Sequence, residues 1–331
     1  MKKYNIAVVG ATGLVGGKIL EVLKERNFPI QNLYLFASIK SAGKKIVYNN
    51  KEYVVETLSK ENIVNKKIDF ALFSAGGKRS LEFAPYFTQI GARVIDNSSA
   101  FRMDEKVPLI VPEVNAKALK PKDKLIANPN CSTIQCMLPL KALHDFYGLK
   151  SIGFVSFQAV SGSGVKGIKD LENTLNGKEN EFYPHMIANN CLPHIGEFKE
   201  NGFSEEELKM VNETTKILKL KNVPIFATCV RVPVLNSHMV SISATFKKVI
   251  DVDVCRILLK NFKNIILLDE PKNNIYPLAT IANEKDEVFV GRIRKDLFNP
   301  KTLHFICVAD NIRKGAATNA VQILEYLTNR F

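Results

Sequence analysis

Along the first third of the chain, short continuous apolar runs alternate with stretches whose apolar residues recur at helical spacing. Asn5–Val9 is an apolar run that stops at a glycine, and Gly13–Arg26 follows with a helical pattern. Leu33–Ala37 reads as a second strand. Ile46–Tyr48 and Tyr53–Glu56, parted by the polar turn around Asn49, Asn50 and Lys51, read as a small hairpin. Asp69–Phe73 reads as a strand, Ser80–Ile90 as a helix and Arg93–Asp96 as another strand. Alternation of this kind predicts a parallel, doubly wound sheet.

The pattern changes at residue 131. Ile134, Met137, Leu138, Leu140, Ala142, Leu143 and Phe146 define a helix that stops at Gly148. Ser151–Val160 and Phe226–Val234 read as long strands, and His238–Val249 alternates like a half-buried antiparallel strand. Ser204–Leu220 is a charged amphipathic helix. These elements predict an α+β domain with a largely antiparallel sheet. In Lys314–Phe331 the residues Ala317, Ala320, Val321, Leu324 and Leu327 share one apolar face, as in a helix that returns to cover the first domain. The expected fold class is α/β, with an N-terminal Rossmann-type domain (1–130 plus 314–331) completed by the C-terminal helix. The α+β domain (131–313) would be an insertion.

Composition narrows the function classes. With 331 residues, 46% hydrophobic and 24% charged, the chain has ordinary globular composition and enough length for two domains. No apolar run approaches a membrane span, and the glycines at 10, 13, 16 and 17 interrupt any secretory apolar core near the start, so a cytoplasmic location is expected. The six cysteines have no CxxC pair, and the five histidines have no metal-ligand spacing, so neither a disulfide framework nor a metal site is expected. The net charge of +13 comes mostly from dispersed lysines, without an arginine-rich tail or interleaved aromatics. Such a surface stays solvated and attracts small anions; it does not point to nucleic acid.

Three motifs carry candidate chemistry. Gly10-Ala-Thr-Gly-Leu-Val-Gly16 is a GxxGxxG loop between a strand and a helix, where glycines let the backbone approach a pyrophosphate. It also suits a merely tight strand–helix turn. The second strand ends without the acid that an NAD ribose favours. Ser38, Lys40 and Ser41 stand there instead, in keeping with a 2′-phosphate and hence NADP. Asn128-Pro-Asn-Cys-Ser-Thr133 sets Cys131 where the helical pattern starts, which favours thiolate and an oxyanion beside it. Alone, this leaves a nucleophile and a buried structural cysteine equally open. The third motif, Arg231-Val-Pro-Val-Leu-Asn-Ser-His238, joins two strands and offers a cation and an acid/base to one cleft.

With these motifs the chain resembles the aspartate-semialdehyde dehydrogenase family. The resemblance runs through GATGLVG, ASIKSAGK, FSAGG, DNSSAFR, NPNCST, FQAVSGSG, EEELKMVNET, RVPVLNSH and DNIRKGAATNAVQI, over essentially the whole length. N-acetyl-γ-glutamyl-phosphate reductase shares the chemistry and matches the motifs less well. The resemblance implies that Cys131 is the thioester nucleophile, His238 the acid/base and Gln158 a residue that orients substrate. Arg231 would bind the α-carboxylate, Glu206 the amino group, and Arg102 and Lys209 phosphate. Asn130 would add an N–H to the oxyanion site. NADP would lie along Gly10, Thr12, Gly13, Leu14 and Val15, with Ser38, Lys40 and Ser41 at its 2′-phosphate and Ser161, Gly162 and Asn311 near the nicotinamide. The inserted domain would be catalytic and would pair copies into a homodimer or homotetramer.

Overall fold

The computed structural model describes residues 2–330. The chain forms two compact units, Met1–Pro129 with Ala316–Phe331, and Asn130–Gly315. Met1, counted in the expected first domain, lies outside the described residues.

The first unit runs β1 (Tyr4–Val9), α1 (Leu14–Glu25), β2 (Ile30–Ala37), β3 (Lys45–Tyr48), β4 (Lys51–Thr57), α2 (Lys60–Val64) and β5 (Phe70–Phe73). It continues through α3 (Gly77–Gln89), β6 (Arg93–Asp96), α4 (Pro112–Asn115) and β7 (Leu125–Ala127). The strands form one sheet in the order β3-β4-β2-β1-β5-β6-β7, parallel except for the β3–β4 hairpin. β1 shows why the sheet is doubly wound. Ile6 and Val8 pack into one core with Ile19 and Leu23 of α1, while Ala7 and Val9 pack into another with Phe36 and Phe87. A strand buried on both faces reads as a continuous apolar run, as Asn5–Val9 does.

The second unit contains α5 (Cys131–Tyr147), β8 (Leu149–Gln158), α6 (Gly164–Leu175), α7 (Glu205–Leu218), β9 (Ile225–Arg231) and β10 (His238–Phe246). α8 (Val252–Lys260), β11 (Ile265–Leu267), α9 (Ala279–Ala282), β12 (Val288–Lys295) and β13 (Thr302–Ala309) complete it. The sheet order is β11-β12-β13-β10-β8-β9. This sheet is largely antiparallel, as expected, through β12–β13, β13–β10 and β10–β8, while β8–β9 and β11–β12 pair in parallel. The apolar pattern left β12 and β13 unrecognised. β12 is interrupted by Gly291 and by Arg292, which takes φ 56°, and its register with β13 shifts there. α5 is buried on almost every side, from Ile134 through Leu143, and packs on the sheet and on α7 and α8.

A wide π-helical turn, Arg313–Ala317, leads into α10 (Thr318–Arg330), shorter at its start than the expected Lys314–Phe331. Phe331 lies outside the described residues. Ala320, Val321, Leu324 and Leu327 of α10 enter the same core as α1, and Arg26 and Glu325 pair at 3.0 Å. The C-terminal helix thus completes the first unit.

Two neighbouring glycines of α1 separate packing from helix propensity. A Cβ on Gly16 would lie 2.1 Å from the Gly10 carbonyl oxygen, whereas nothing lies within 4 Å of one on Gly17. Gly16→Ala is expected to cost about 1–3 kcal/mol, as overpacking does. Gly17→Ala should be neutral or add up to about 1 kcal/mol. Urea unfolding of both variants checks this, and equal midpoints would contradict it.

Candidate active site

In the first unit, β1 ends at a glycine that no other residue can replace without strain. Gly10 takes φ +86°, and a Cβ there would meet the Ser74 carbonyl oxygen at 2.4 Å. The Gly10 and Ala11 N–H groups donate to the Phe36 carbonyl at 2.8 and 3.1 Å, which fixes the loop against β2. α1 begins at Leu14 and Val15 with Gly13 as N-cap and no side chain capping it. A cavity of about 210 Å³ opens beside this bare helix end, its lining including Gly10, Thr12, Gly13, Ser38, Ser74 and Arg79. A loop with glycines at its close approaches, a helix N-terminus and a cavity are what a dinucleotide pyrophosphate requires. These residues fit the group.

The lining adds one residue to the sequence reading. Ser38 lines the cavity, but Lys40 and Ser41 sit on the exposed turn after β2 and do not. Arg79, in the first turn of α3, is the charged residue of the lining and was missed. Its signal was the FSAGGKR segment, a second strand–glycine–helix junction in which Gly76 takes φ +84°. Arg102, in the same unit, is buried. Its Nε donates to the Asn128 carbonyl at 3.0 Å and Nη2 to the Asn97 carbonyl at 2.6 Å. Burial raises the nearby Asp96 carboxyl, although hydrogen bonds from Ser98 and Ser80 oppose that.

In the second unit, Cys131 is the first residue of α5 and is partly exposed. Asn130 is the N-cap. Its Oδ1 accepts from the Ser132 and Thr133 N–H groups at 3.0 and 3.2 Å. Its Nδ2 donates to Glu206 Oε1 at 2.8 Å, and its main-chain N–H donates to Glu213 Oε2 at 2.6 Å. The expected gift of the Asn130 N–H to an oxyanion is therefore corrected, because that N–H already donates to Glu213. Glu213 itself was missed: nothing in the run EEELKMVNET marks it as more than an exposed helix residue.

Of the three consecutive glutamates, only Glu206 turns into this group. Glu205 pairs with Lys199 at 2.7 Å, and Glu207 closes a capping box with Ser204. Glu206 Oε1 also accepts from Gln158 Nε2 at 3.2 Å, and Oε2 pairs with Lys209 at 3.3 Å. Burial acts to raise its carboxyl. The Lys209 charge, the Asn130 and Gln158 hydrogen bonds and the Arg231 charge outweigh that and hold it below the usual carboxylate range.

Arg231 and His238 meet over the loop that follows β8. Arg231 Nη1 donates to the Ala159 carbonyl at 2.5 Å, and the Ala159 N–H donates to His238 Nδ1 at 3.0 Å. A main-chain amide can only donate, so Nδ1 is the bare nitrogen and the neutral ring carries its proton on Nε2. That Nε2 is buried and makes no hydrogen bond among the described residues. Burial, then the Arg231 charge, hold the imidazole well below its ordinary range. The geometry therefore offers a neutral donor rather than a base at Nε2. Gly162 lies against both side chains, since a Cβ there would be 2.9 Å from Arg231 Nη1 and 3.2 Å from His238 Nε2. Ser161 and Asn311 are brought together, Asn311 Nδ2 donating to Ser161 Oγ at 3.0 Å while its Oδ1 accepts from Ser237 at 2.9 Å.

A doubly wound domain with a glycine-loop cradle, holding an inserted domain whose cysteine opens a helix beside Gln158, Glu206, Arg231 and His238, has the organisation of a semialdehyde dehydrogenase. Residues 5–122 match the family described as semialdehyde dehydrogenase, NAD binding domain, and residues 140–314 match semialdehyde dehydrogenase, dimerisation domain. The aspartate-semialdehyde dehydrogenase of Aquifex aeolicus is 52% identical, over 98% of each chain. That of Campylobacter jejuni is 46% identical, over 98% of this chain and 97% of the other. The crystal structure of aspartate-semialdehyde dehydrogenase II of Vibrio cholerae, complexed with ASA, superposes with a TM-score of 0.95 at 40% identity, covering all of both chains. The chain belongs to the aspartate-semialdehyde dehydrogenase family, oxidoreductases of aspartate-derived amino-acid biosynthesis.

The buried neutral histidine has a consequence for stability. An exposed imidazole titrates near 6.5, while His238 in the folded chain titrates well below that. Below about pH 6.5 the unfolded chain binds the proton and the folded chain does not, so this contribution is present at neutral pH and is lost as pH falls. Between about pH 7.5 and 5.5, wild type is expected to lose more stability than His238→Gln. Urea midpoints of both proteins across that range check it, and parallel declines would contradict it.

Proposed function

We propose that this chain catalyses the NADPH-dependent reductive dephosphorylation of L-aspartyl-4-phosphate to L-aspartate-4-semialdehyde, through an acyl-thioester on Cys131. The observation that carries the reading is the buried group of Asn130, Glu206 and Gln158 beside Cys131, with Arg231 and His238 both bonded to the main chain of Ala159, the residue after Gln158. A substrate with a free amino group and an α-carboxylate needs an acid and a cation near the thiol. Glu206 and Arg231 supply them. An N-acetylated glutamyl phosphate would leave the Glu206 charge facing a neutral acetamide, a poorer exchange for a buried carboxylate.

The Cys131 sulfur attacks the acyl carbon, and the carbonyl electrons move to oxygen. The His238 Nε2–H donates to that oxygen, stabilising charge that exists only along the reaction path. When the carbonyl reforms, phosphate leaves with the bonding pair, Lys209 and Arg102 being the cations assigned to it, and the thioester remains. NADPH, when bound, supplies hydride to the acyl carbon. The same Nε2–H then serves the second oxyanion. Cleavage of the C–S bond releases the aldehyde and returns the thiolate. Gln158 orients the acyl group and Arg231 clamps the α-carboxylate. Gly10, Thr12, Gly13, Leu14 and Val15 hold the cofactor, Ser38 and Arg79 with Lys40 and Ser41 read its 2′-phosphate, and Ser161, Gly162 and Asn311 serve the nicotinamide end.

The product feeds lysine, diaminopimelate, threonine and methionine synthesis in the cytoplasm. Copies pair through the open face of the second sheet, where Val155, Phe157 and Phe226 are exposed. That face is apolar enough to be covered by a second copy, as a homodimer or within a tetramer.

With aspartate semialdehyde and phosphate, the protein is expected to reduce NADP, and N-acetylglutamate semialdehyde should give at most a few per cent of that rate, as expected when a buried acid loses its charged partner. Cys131→Ser should abolish turnover. Comparable rates on both aldehydes, or a serine variant keeping roughly a tenth of the activity, would contradict the reading.

Cofactor choice is tested by titration. Arg79→Ala and the double variant Lys40→Ala, Ser41→Ala should each weaken NADP by about tenfold to a hundredfold, the loss of one charge-assisted hydrogen bond, and leave NAD nearly unchanged. Equal losses for the two cofactors would remove the altered residues from the 2′-phosphate site.

A further inference from the structure

We propose that Glu213 is a positioning residue for the nucleophile, holding the main chain of Asn130 so that α5 and the Cys131 sulfur start from one fixed orientation. The proposal rests on Cys131 being the reacting group. Glu213 lies seven residues after Glu206 on α7, two turns along, so both carboxylates project from one face of the helix. That face meets Asn130 twice. Glu206 takes the side-chain amide at 2.8 Å, and Glu213 takes the main-chain N–H at 2.6 Å.

The second contact differs in kind from the first. A side chain can swing, but the Asn130 N–H is part of the peptide plane that precedes the helix. Asn130 sits at φ −61° and ψ 144°, and its carbonyl accepts the first intrahelical bond, from Ile134 at 2.9 Å. Anchoring that plane therefore sets the direction of the Cα–Cβ bond of Cys131, the next residue. Glu213 is 1% exposed, and a carboxylate so buried is retained only where donors hold it. Gly315 narrows the space on the other side of the sulfur's own carbon, since a Cβ there would lie 2.9 Å from Cys131 Cβ. The nucleophile is gripped at its backbone and bounded at its side chain.

A carboxylate near a thiol opposes thiolate rather than favouring it, so the role assigned to Glu213 is positional. Its contribution is the position of one acceptor oxygen. Gln at 213 keeps an acceptor at the same reach, Asp withdraws it by one methylene, and Ala removes it. The expectation is that Glu213→Ala and Glu213→Asp lower kcat by about ten- to a hundredfold with KM changed less than about threefold, as a misplacement of order 1 Å does. Glu213→Gln should restore kcat to within about threefold of wild type, since the acceptor is kept.

The readout that needs no substrate is iodoacetamide alkylation followed peptide by peptide across pH. Exposed Cys191 serves as the internal reference for folding and reagent. Cys131 alkylation should slow in the Ala and Asp variants and recover in the Gln variant, with Cys191 unchanged in all. Should aspartate semialdehyde not be the substrate, wild-type turnover would be absent while the alkylation comparison still stands. Folded Ala or Asp variants with wild-type kcat and Cys131 reactivity would overturn the proposal. A Gln variant as impaired as Asp would also overturn it, because charge and not position would then be the cause.

Discussion

The sulfur proposed as nucleophile sits at a helix N-terminus that has to be held in place, and here one asparagine holds it. Every polar atom of Asn130 is engaged: Oδ1 with the first turn of α5, the carbonyl with Ile134, Nδ2 with Glu206 and N–H with Glu213. A cap normally secures a helix against fraying. This one also joins α5 to α7, so the helix that opens at Cys131 and the helix that carries Glu206 and Glu213 share one fixed point. The rest of the constellation is built outward from it.

Burial sets the charges in that arrangement. Glu206 is ionised in a buried site because Lys209, Asn130, Gln158 and Arg231 together outweigh desolvation. His238 takes the opposite course, remaining neutral because burial and the same Arg231 oppose its charge. A single guanidinium thus steadies a carboxylate and suppresses an imidazolium. In the proposed reaction this leaves one negative charge to meet an ammonium, one positive charge to meet a carboxylate, and one uncharged N–H for an oxygen that becomes negative only during reaction. Donors already aimed at that oxygen need no reorganisation when charge develops.

Elements with strong local signatures were legible in the sequence. The α5 pattern from Ile134 to Phe146 with its stop at Gly148, the glycine loop and the apolar face of α10 all survive in the structure. What escaped was decided by tertiary pairing. β12 and β13 are central strands, yet Gly291 and the Arg292 bulge break the alternation that would reveal β12. Glu213 looks like any charged residue of an amphipathic helix until Asn130 is seen beside it. Arg79 was passed over although the glycines of the β5–α3 junction mark a second strand–glycine–helix turn, because the cavity that it lines forms only when that junction lies against the first glycine loop. The tautomer of His238 is set by the Ala159 amide, a main-chain group that carries no residue-type signal.

The central claim, a covalent acyl group on Cys131, is tested most directly by mixing enzyme with aspartyl phosphate in the absence of NADPH. After rapid acid quench, intact and peptide mass spectrometry would show one aspartyl group on the Cys131 peptide, with one phosphate released per active site. No adduct with phosphate retained until NADPH is added, or an adduct on any other residue, would contradict the account.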